Sequence, residues 1–529
     1  MNQRELPQLA AAQLELLRSQ LRLKPGDGQA WLALAQLLSQ GTPGDELYHA
    51  IEQSIKSLPE NDEVWLLAAT VQERIRGAAA ARQWLEHTAR QNPRLVAPRL
   101  ALARMQSFSD PAGATDRYQR IIAEFPGDKR AREQLAEVRL VQGDAYRQSA
   151  QWQKALDAYR EEEDSRAQDP LLMNNIGCCL AGLAKYEPAA EYFETALRLK
   201  PDFIEARLNV GLLCASQLKD DEAISIISDV LESSNIEPST RKSAETILDI
   251  FFEHKRMEPA LRHSVRAGNV NELQSALDGT PEKFLQADER TVGKLGSLAA
   301  ICRVMEFDPE QFTYSADTNH LPVIEAFAQC KIEGETGSII EMNQRLGSSS
   351  KDSDSYPGYR EILSAWSTIL ERKSVSADRL QGAGEAWLRY WHACLLRETL
   401  DKQPGQFKAV TNAIGKRFLT PPENVAGTYR VLLTDFRPTV PAGLPRAVFM
   451  YVAVTMIHGF SDGNGRLSRF IMNWEAESAG LPAIVIPLKL RAQFTRSLDT
   501  AWFAGQADPL VADLIEAFDE TDLLLKELS

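Results

Sequence analysis

Pro25, Pro59 and Pro93 fall at intervals of 34 residues, and Pro126 follows 33 later. Trp31 and Trp65 keep the interval, as do Ala35, Ala69 and Ala103. A second set is clearer: Gly143, Gly177 and Gly211; Ala155, Ala189 and Ala223; Tyr159, Phe193 and Ile227. Such a period rules out one compact core for this half of the chain. Small residues let the two helices of a unit approach, large ones fill the gap between units, and proline ends the second helix. Each unit buries its apolar face only against its neighbours, so the units must stack into a curved solenoid.

The stretch "LLMNNIGCCLAGLAKYEPAAEYFETALRLKPD" resembles the tetratricopeptide repeat, a helix–turn–helix unit of this period. About six repeats are expected over residues 10–235. The resemblance implies a concave surface that holds a peptide or protein partner; a spacer or an oligomerisation arm is the alternative.

The chain has 529 residues and a formal net charge of -14. That acidity argues against nonspecific nucleic-acid or anionic-membrane partners, which favour basic surfaces. The six cysteines form no C-x-x-C pair and fit free thiols in a reducing compartment. "MNQRELPQLA" lacks the apolar stretch of a signal peptide, and no run approaches the length of a membrane span. A cytoplasmic protein is expected, with delivery into another cell left open.

Residues 236–345 read as packing helices without a trusted motif. "RLGSSSKDSDSYPGYR" is rich in Ser, Asp, Gly and Pro, so a linker is expected at 346–356 and a separate domain over 357–520.

That last domain holds "IHGFSDGNGRLSR", Ile457 to Arg469. The apolar run before it is long enough for a buried helix, which puts His458 at or just beyond a helix end. "SDGNG" favours turns, and "RLSRFIMNWEAESAG" resumes a helix that closes at Gly480. A glycine-rich loop feeding a helix N-terminus is an anion site, because backbone N–H groups and the helix dipole face the ligand. Arg466 and Arg469 lie on one side of the first turn and can each hold phosphate with two hydrogen bonds. Asp462, the one acid of the loop, suits Mg2+. His458 titrates near neutrality and suits a general base. Phe460 is expected to anchor the loop.

The loop resembles the signature of the Fic family, H-x-F-x-D/E-G-N-G-R-x-x-R. His458, Phe460, Asp462, Gly463, Asn464, Gly465, Arg466 and Arg469 meet its fixed positions. "GTYR", Gly427 to Arg430, resembles the segment leading to the family's target-clamping flap, which puts the flap within Val431–Val440. The resemblance covers about residues 357–515 and implies an all-α chain: a solenoid followed by a mainly helical domain with a short β-hairpin flap. It implies a protein adenylyltransferase, moving AMP from ATP to a Tyr, Thr or Ser hydroxyl of a target protein. His458 is then the base, Asp462 the Mg2+ ligand, and Gly463, Asn464, Gly465, Arg466 and Arg469 the phosphate holders. UMP or phosphocholine transfer, AMP removal, and a nucleotide-sensing scaffold are the alternatives. Gly459 departs from the family's usual proline and is expected to loosen the loop.

Family members often carry an inhibitory S/T-x-x-x-E-G/N helix whose glutamate pairs with the second motif arginine. Ser367 and Glu371 have that spacing, which predicts a Glu371–Arg469 pair, with Arg372 in place of Gly or Asn and able to compete for Glu371. Asn473, one turn beyond Arg469, is a candidate to face the nucleotide. The other histidines, His392 among them, read as ordinary core or surface residues.

Overall fold

The computed structural model describes residues 5–41, 43–333, 359–399, 402–411 and 419–528, with 339 and 342 besides. The linker expected at 346–356 lies outside the described residues. Among the described residues the secondary structure is helical and no strand forms. The chain divides into two compact units, residues 1–183 and 184–529.

The first unit is a run of helices from Glu5–Leu23 to Pro170–Gly182, joined by short turns. Sequence explains the punctuation. Asp27, Asn61, Asp110 and Asp169 sit just before helices, and each side chain accepts from a backbone N–H of the first turn. Trp31 and Trp65, one period apart, make the same bond: each indole N–H donates to the carbonyl of the proline six residues earlier, Pro25 and Pro59, at 2.8 Å. Gly143 is required by packing, since a Cβ there would stand 2.6 Å from the Tyr159 ring.

The second unit begins with repeat-type helices, Tyr186–Leu199, Ile204–Ser216 and Asp220–Leu231. The same close approach recurs, with a Cβ on Gly211 meeting Ile227 at 2.7 Å. The period also survives in the backbone of both units: Ala150, Ala184 and Leu218 all take left-handed φ, at 54°, 56° and 60°. Each lies in the short turn between two consecutive helices, and these turns use non-glycine residues at a conformational cost.

The 30-residue helix Pro238–Ala267 follows, capped by the Glu237 carboxylate and closed by Gly268 in the left-handed region. Its first half, through Ala244, Leu248 and Phe251, completes the core of the preceding helices. Its second half, through Met257 and Leu261, enters a larger core. That core also takes residues from the helices Asn271–Leu277, Glu289–Arg303 and Leu321–Glu333. The stretch read as connecting helices therefore shares one core with the domain that follows.

At the centre of the larger core lies the helix Leu444–Ile457, with every residue except Arg446 buried. A helix apolar on all sides must be wrapped on all sides. Its wrapping includes Glu289–Arg303, the motif helix Asn464–Ser478 and Arg491–Ala504. Val431–Val440, where a β-hairpin flap was expected, is helical: Val425–Val431 continues through a wider turn over Leu432–Phe436 and a 3-10 turn over Arg437–Thr439. The reason is local. Leu432 and Leu433 are adjacent and both buried, whereas a hairpin open on one face alternates buried and exposed residues, and no hairpin-turn glycine or asparagine is present.

Candidate functional site

The buried helix ends at His458, whose backbone is left-handed with φ 48° and ψ 54°. Its N–H still closes the last turn on the Val454 carbonyl at 3.1 Å. The chain then turns across 459–463 and re-enters a helix at Asn464 behind Gly463, φ 75°. The N-cap position of this second helix is Gly463, which has no side chain to cap it. The N–H groups of its first turn have no partner inside the helix, an arrangement that favours a negative charge there.

Two residues staple the loop. Asn464 accepts from the Phe460 N–H at 3.0 Å and donates its amide to the Phe460 carbonyl at 2.7 Å. Phe460 itself is fully buried, stacked on His392 with ring centroids 3.8 Å apart, and flanked by Phe407 at 5.1 Å. The segment Gln406–Lys408 runs beside the loop. Phe407 and Phe460 form an isolated antiparallel bridge, and the Lys408 N–H donates to the Gly459 carbonyl at 2.9 Å.

His392 sits directly beneath, on the helix Leu380–Leu395, and is buried. Its Nδ1 accepts the Gly405 N–H at 2.8 Å, so Nε2 carries the hydrogen and donates to the Asp462 carbonyl at 2.8 Å. Burial drives its pKa down to about 4, so the ring is neutral at pH 7. Gly463 lies against the same ring; a Cβ there would stand 2.9 Å from His392 Nε2 and 2.8 Å from Leu396. Left-handed φ and this contact both demand glycine.

The charged side chains form a chain of ion pairs. Arg466 is buried and pairs with Glu361, on the helix Tyr359–Arg372. The other Glu361 oxygen accepts from Lys402 Nζ at 3.0 Å, and Lys402 lies 3.4 Å from Asp462 Oδ2. Asp462 Oδ1 accepts the Gly463 N–H at 2.6 Å. Burial raises the Asp462 pKa, but the Gly463 N–H, Lys402 and Arg466 outweigh it and hold the carboxyl below its usual range. An ionised carboxylate, with its side chain 42% exposed, fits a hard divalent cation. Among the described residues no three His, Cys, Asp or Glu gather as a metal cage. Mg2+ at Asp462 would thus take one protein oxygen and fill its shell from phosphate and water, its usual habit.

Arg469 is buried. Its Nη2 donates to the Gln329 carbonyl at 3.1 Å, on the helix Leu321–Glu333. The expected Glu371–Arg469 pair does not form. Glu371 accepts instead from Arg397 at 3.1 Å and from the Tyr390 hydroxyl at 3.5 Å, because it lies at the end of its helix over Arg397. Ser367 donates to the Ser364 carbonyl of its own helix. Arg372 does not compete for Glu371: it is fully buried and pairs with Glu325 and Glu477. Asn473 does not face the loop opening either. It brackets Ile484, accepting from its N–H at 2.8 Å and donating to its carbonyl at 3.1 Å.

Gly459, the departure from the usual proline, is not a loosening. A Cβ there would stand 2.5 Å from the Tyr429 ring and 2.7 Å from Val425, both fully buried. Tyr429 takes the space that a larger residue would need.

Sequence reading missed His392, Lys402 and Glu361. A signal existed for the first: a histidine among "EAWLRYWHACLL" must be satisfied inside the core. A separate cavity of about 620 Å³ opens at the far end of the motif helix, between Arg372, Trp474 and Pro482.

Residues 383–476 match the model of the Fic/DOC family. The chain is 33% identical over 244 residues to the protein adenylyltransferase fic-1 of Caenorhabditis briggsae, covering 45% of each. It is 24% identical over 240 residues to the peroxisomal targeting signal receptor of Kluyveromyces lactis, covering 41% of each. The chain therefore spans less than half the length of these curated relatives. Among solved structures, Fic-1 from C. elegans aligns at a TM-score of 0.32 and 16% identity, over 65% of this chain and 92% of that one.

Proposed function

We propose that this chain, in which a Fic domain follows tetratricopeptide-type helical repeats, is a protein adenylyltransferase: it moves AMP from ATP to a hydroxyl of a target protein. The observation that carries the reading is the loop itself. A histidine held at the end of a buried helix stands beside an uncapped helix N-terminus, within a segment that matches the Fic/DOC family.

In this reading His458 takes the proton from a Tyr, Thr or Ser hydroxyl. The oxygen bonds to the α-phosphorus of ATP, and the bond to pyrophosphate breaks. Gly463, Asn464, Gly465 and the motif arginines hold the phosphates, with Arg466 nearest the loop. Mg2+ held by Asp462 supplies charge neutralisation at the phosphates. The chain's contribution is position and electrostatics, the usual means of transfer at phosphorus. His392 keeps the loop in shape, since its hydrogen bond fixes the Asp462 carbonyl. The repeats dock a peptide or protein ligand, as such stacks commonly do.

Purified full-length protein incubated with ATP labelled on the α-phosphate and with a cell extract tests the reading. Label should reach protein with wild type and vanish with His458→Ala. Tight ATP binding with no transfer from wild type would sink the transferase and favour a nucleotide sensor.

A further inference from the structure

Four ionic side chains stand in a row under the loop: Arg466, Glu361, Lys402 and Asp462. Two are cations and two are anions, so the row is balanced with no ligand bound. A polyphosphate brings negative charge to a site whose cations already have carboxylates. Something in the row must therefore move when it binds.

The geometry selects what moves. Asp462 Oδ1 is committed to the Gly463 N–H, so Oδ2 is the oxygen available to a divalent cation. That oxygen is the one Lys402 faces, at 3.4 Å. A Mg2+–oxygen bond of about 2.1 Å and an ammonium cannot share one carboxylate oxygen without repulsion. Arg466 is enclosed, with its side chain 2% exposed, whereas the Lys402 side chain is 23% exposed. Lysine is also a compact charge on a flexible stem, with three donors that turn freely. Glu361, 3.0 Å away, keeps the ammonium at the site after Asp462 releases it.

We propose that Lys402 is a phosphate-binding residue of this pocket, resting on Asp462 and Glu361 when the pocket is empty and passing to a nucleotide phosphate when a divalent cation takes Asp462. The ligand class is a nucleoside diphosphate or triphosphate, and the proposal rests on the nucleotide reading of the loop. Lys402 precedes the Gln406–Lys408 segment that bridges to Phe460 and Gly459, so its backbone is held next to the loop it serves.

Two binding measurements on the full chain test it, neither needing activity. ADP affinity is measured by calorimetry at saturating Mg2+, and Mn2+ binding to nucleotide-free protein by electron paramagnetic resonance. Lys402→Met should weaken ADP by about tenfold, the worth of one charge-assisted hydrogen bond. The same variant should tighten Mn2+, because the competing cation on Asp462 is gone. Lys402→Arg should keep ADP affinity near wild type. A merely structural lysine would not move the two ligands in opposite directions. If Lys402→Met does not fold, Lys402→Gln against Lys402→Arg makes the same comparison. ADP binding by wild type that the variants leave unaltered overturns the assignment alone. No ADP binding by wild type, with or without Mg2+, overturns the nucleotide reading and this assignment with it.

Discussion

The Nε2 of His392 lies 2.8 Å from the carbonyl oxygen of Asp462 and so holds the loop that begins at His458. The bond requires a hydrogen on Nε2 and an acceptor at Nδ1, which only the neutral ring supplies while Gly405 donates to it. Its folded pKa is about 4, below the ordinary 6.5, with burial as the main cause. The unfolded chain therefore binds more protons than the folded one between those values, so stability rises with pH across that window and is lost as pH falls through it. At about 1.4 kcal/mol per pH unit the loss reaches roughly 3 kcal/mol by pH 4. Urea unfolding of wild type and His392→Gln at several pH values checks this. The variant should be less stable at pH 7 and have a flatter dependence between pH 6.5 and 4. Equal slopes would remove His392 from the account.

Gly459 makes an opposite kind of prediction. Restoring the family's proline should harm the fold rather than stiffen it, because Tyr429 and Val425 occupy the space. Overpacking of this sort costs about 1–3 kcal/mol. Gly459→Pro and Gly459→Ala should both lower the thermal midpoint, and Tyr429→Phe should not relieve either, since the ring edge makes the contact. A raised midpoint in Gly459→Pro would show that the ring yields.

Glu371→Gly should leave nucleotide transfer within about twofold of wild type, because Glu371 spends its charge on Arg397 and does not touch the loop. The pair is partly exposed and worth a fraction of a kcal/mol. Initial rates with labelled ATP decide it. A large increase would mean that Glu371 reaches the motif in another state of the protein.

What could be read from sequence divides along local and distant contacts. The helix before His458, the turn at Asp462–Gly463 and the helix after it follow from apolar run, turn residues and spacing within twenty or so residues. The 34-residue interval likewise reports neighbours in the chain, and the corners at Ala150, Ala184 and Leu218 repeat it in the backbone. The partners of the loop come from elsewhere. His392, Lys402 and Glu361 lie far upstream, and no interval in the sequence connects them to Asp462 and Arg466. The spacing of Ser367 and Glu371 was right for a helix but silent on which face meets the motif. The hairpin expected at Val431–Val440 rests on resemblance alone, and the burial of both Leu432 and Leu433 is visible only in the fold.

Arg372 supplies the strongest stability prediction. It stands where the inhibitory pattern usually has Gly or Asn, yet its guanidinium is enclosed and makes three bonds: two to Glu325, at 2.7 and 2.8 Å, and one to Glu477 at 2.8 Å. It also lies over the Phe470 ring, 4.8 Å from its centre, and so ties two helices to the motif helix. Removing it leaves the buried Glu325 carboxylate, among the described residues, with the Gln329 and Asn473 amides and no cation. An uncompensated buried charge of this kind costs about 3–5 kcal/mol. Arg372→Asn should lose that much in urea unfolding, and the double variant Arg372→Met, Glu325→Gln should recover most of it, because no charge is then stranded. A loss under about 1 kcal/mol in Arg372→Asn would mean that Glu325 finds water or another cation, and that Arg372 holds no helices together.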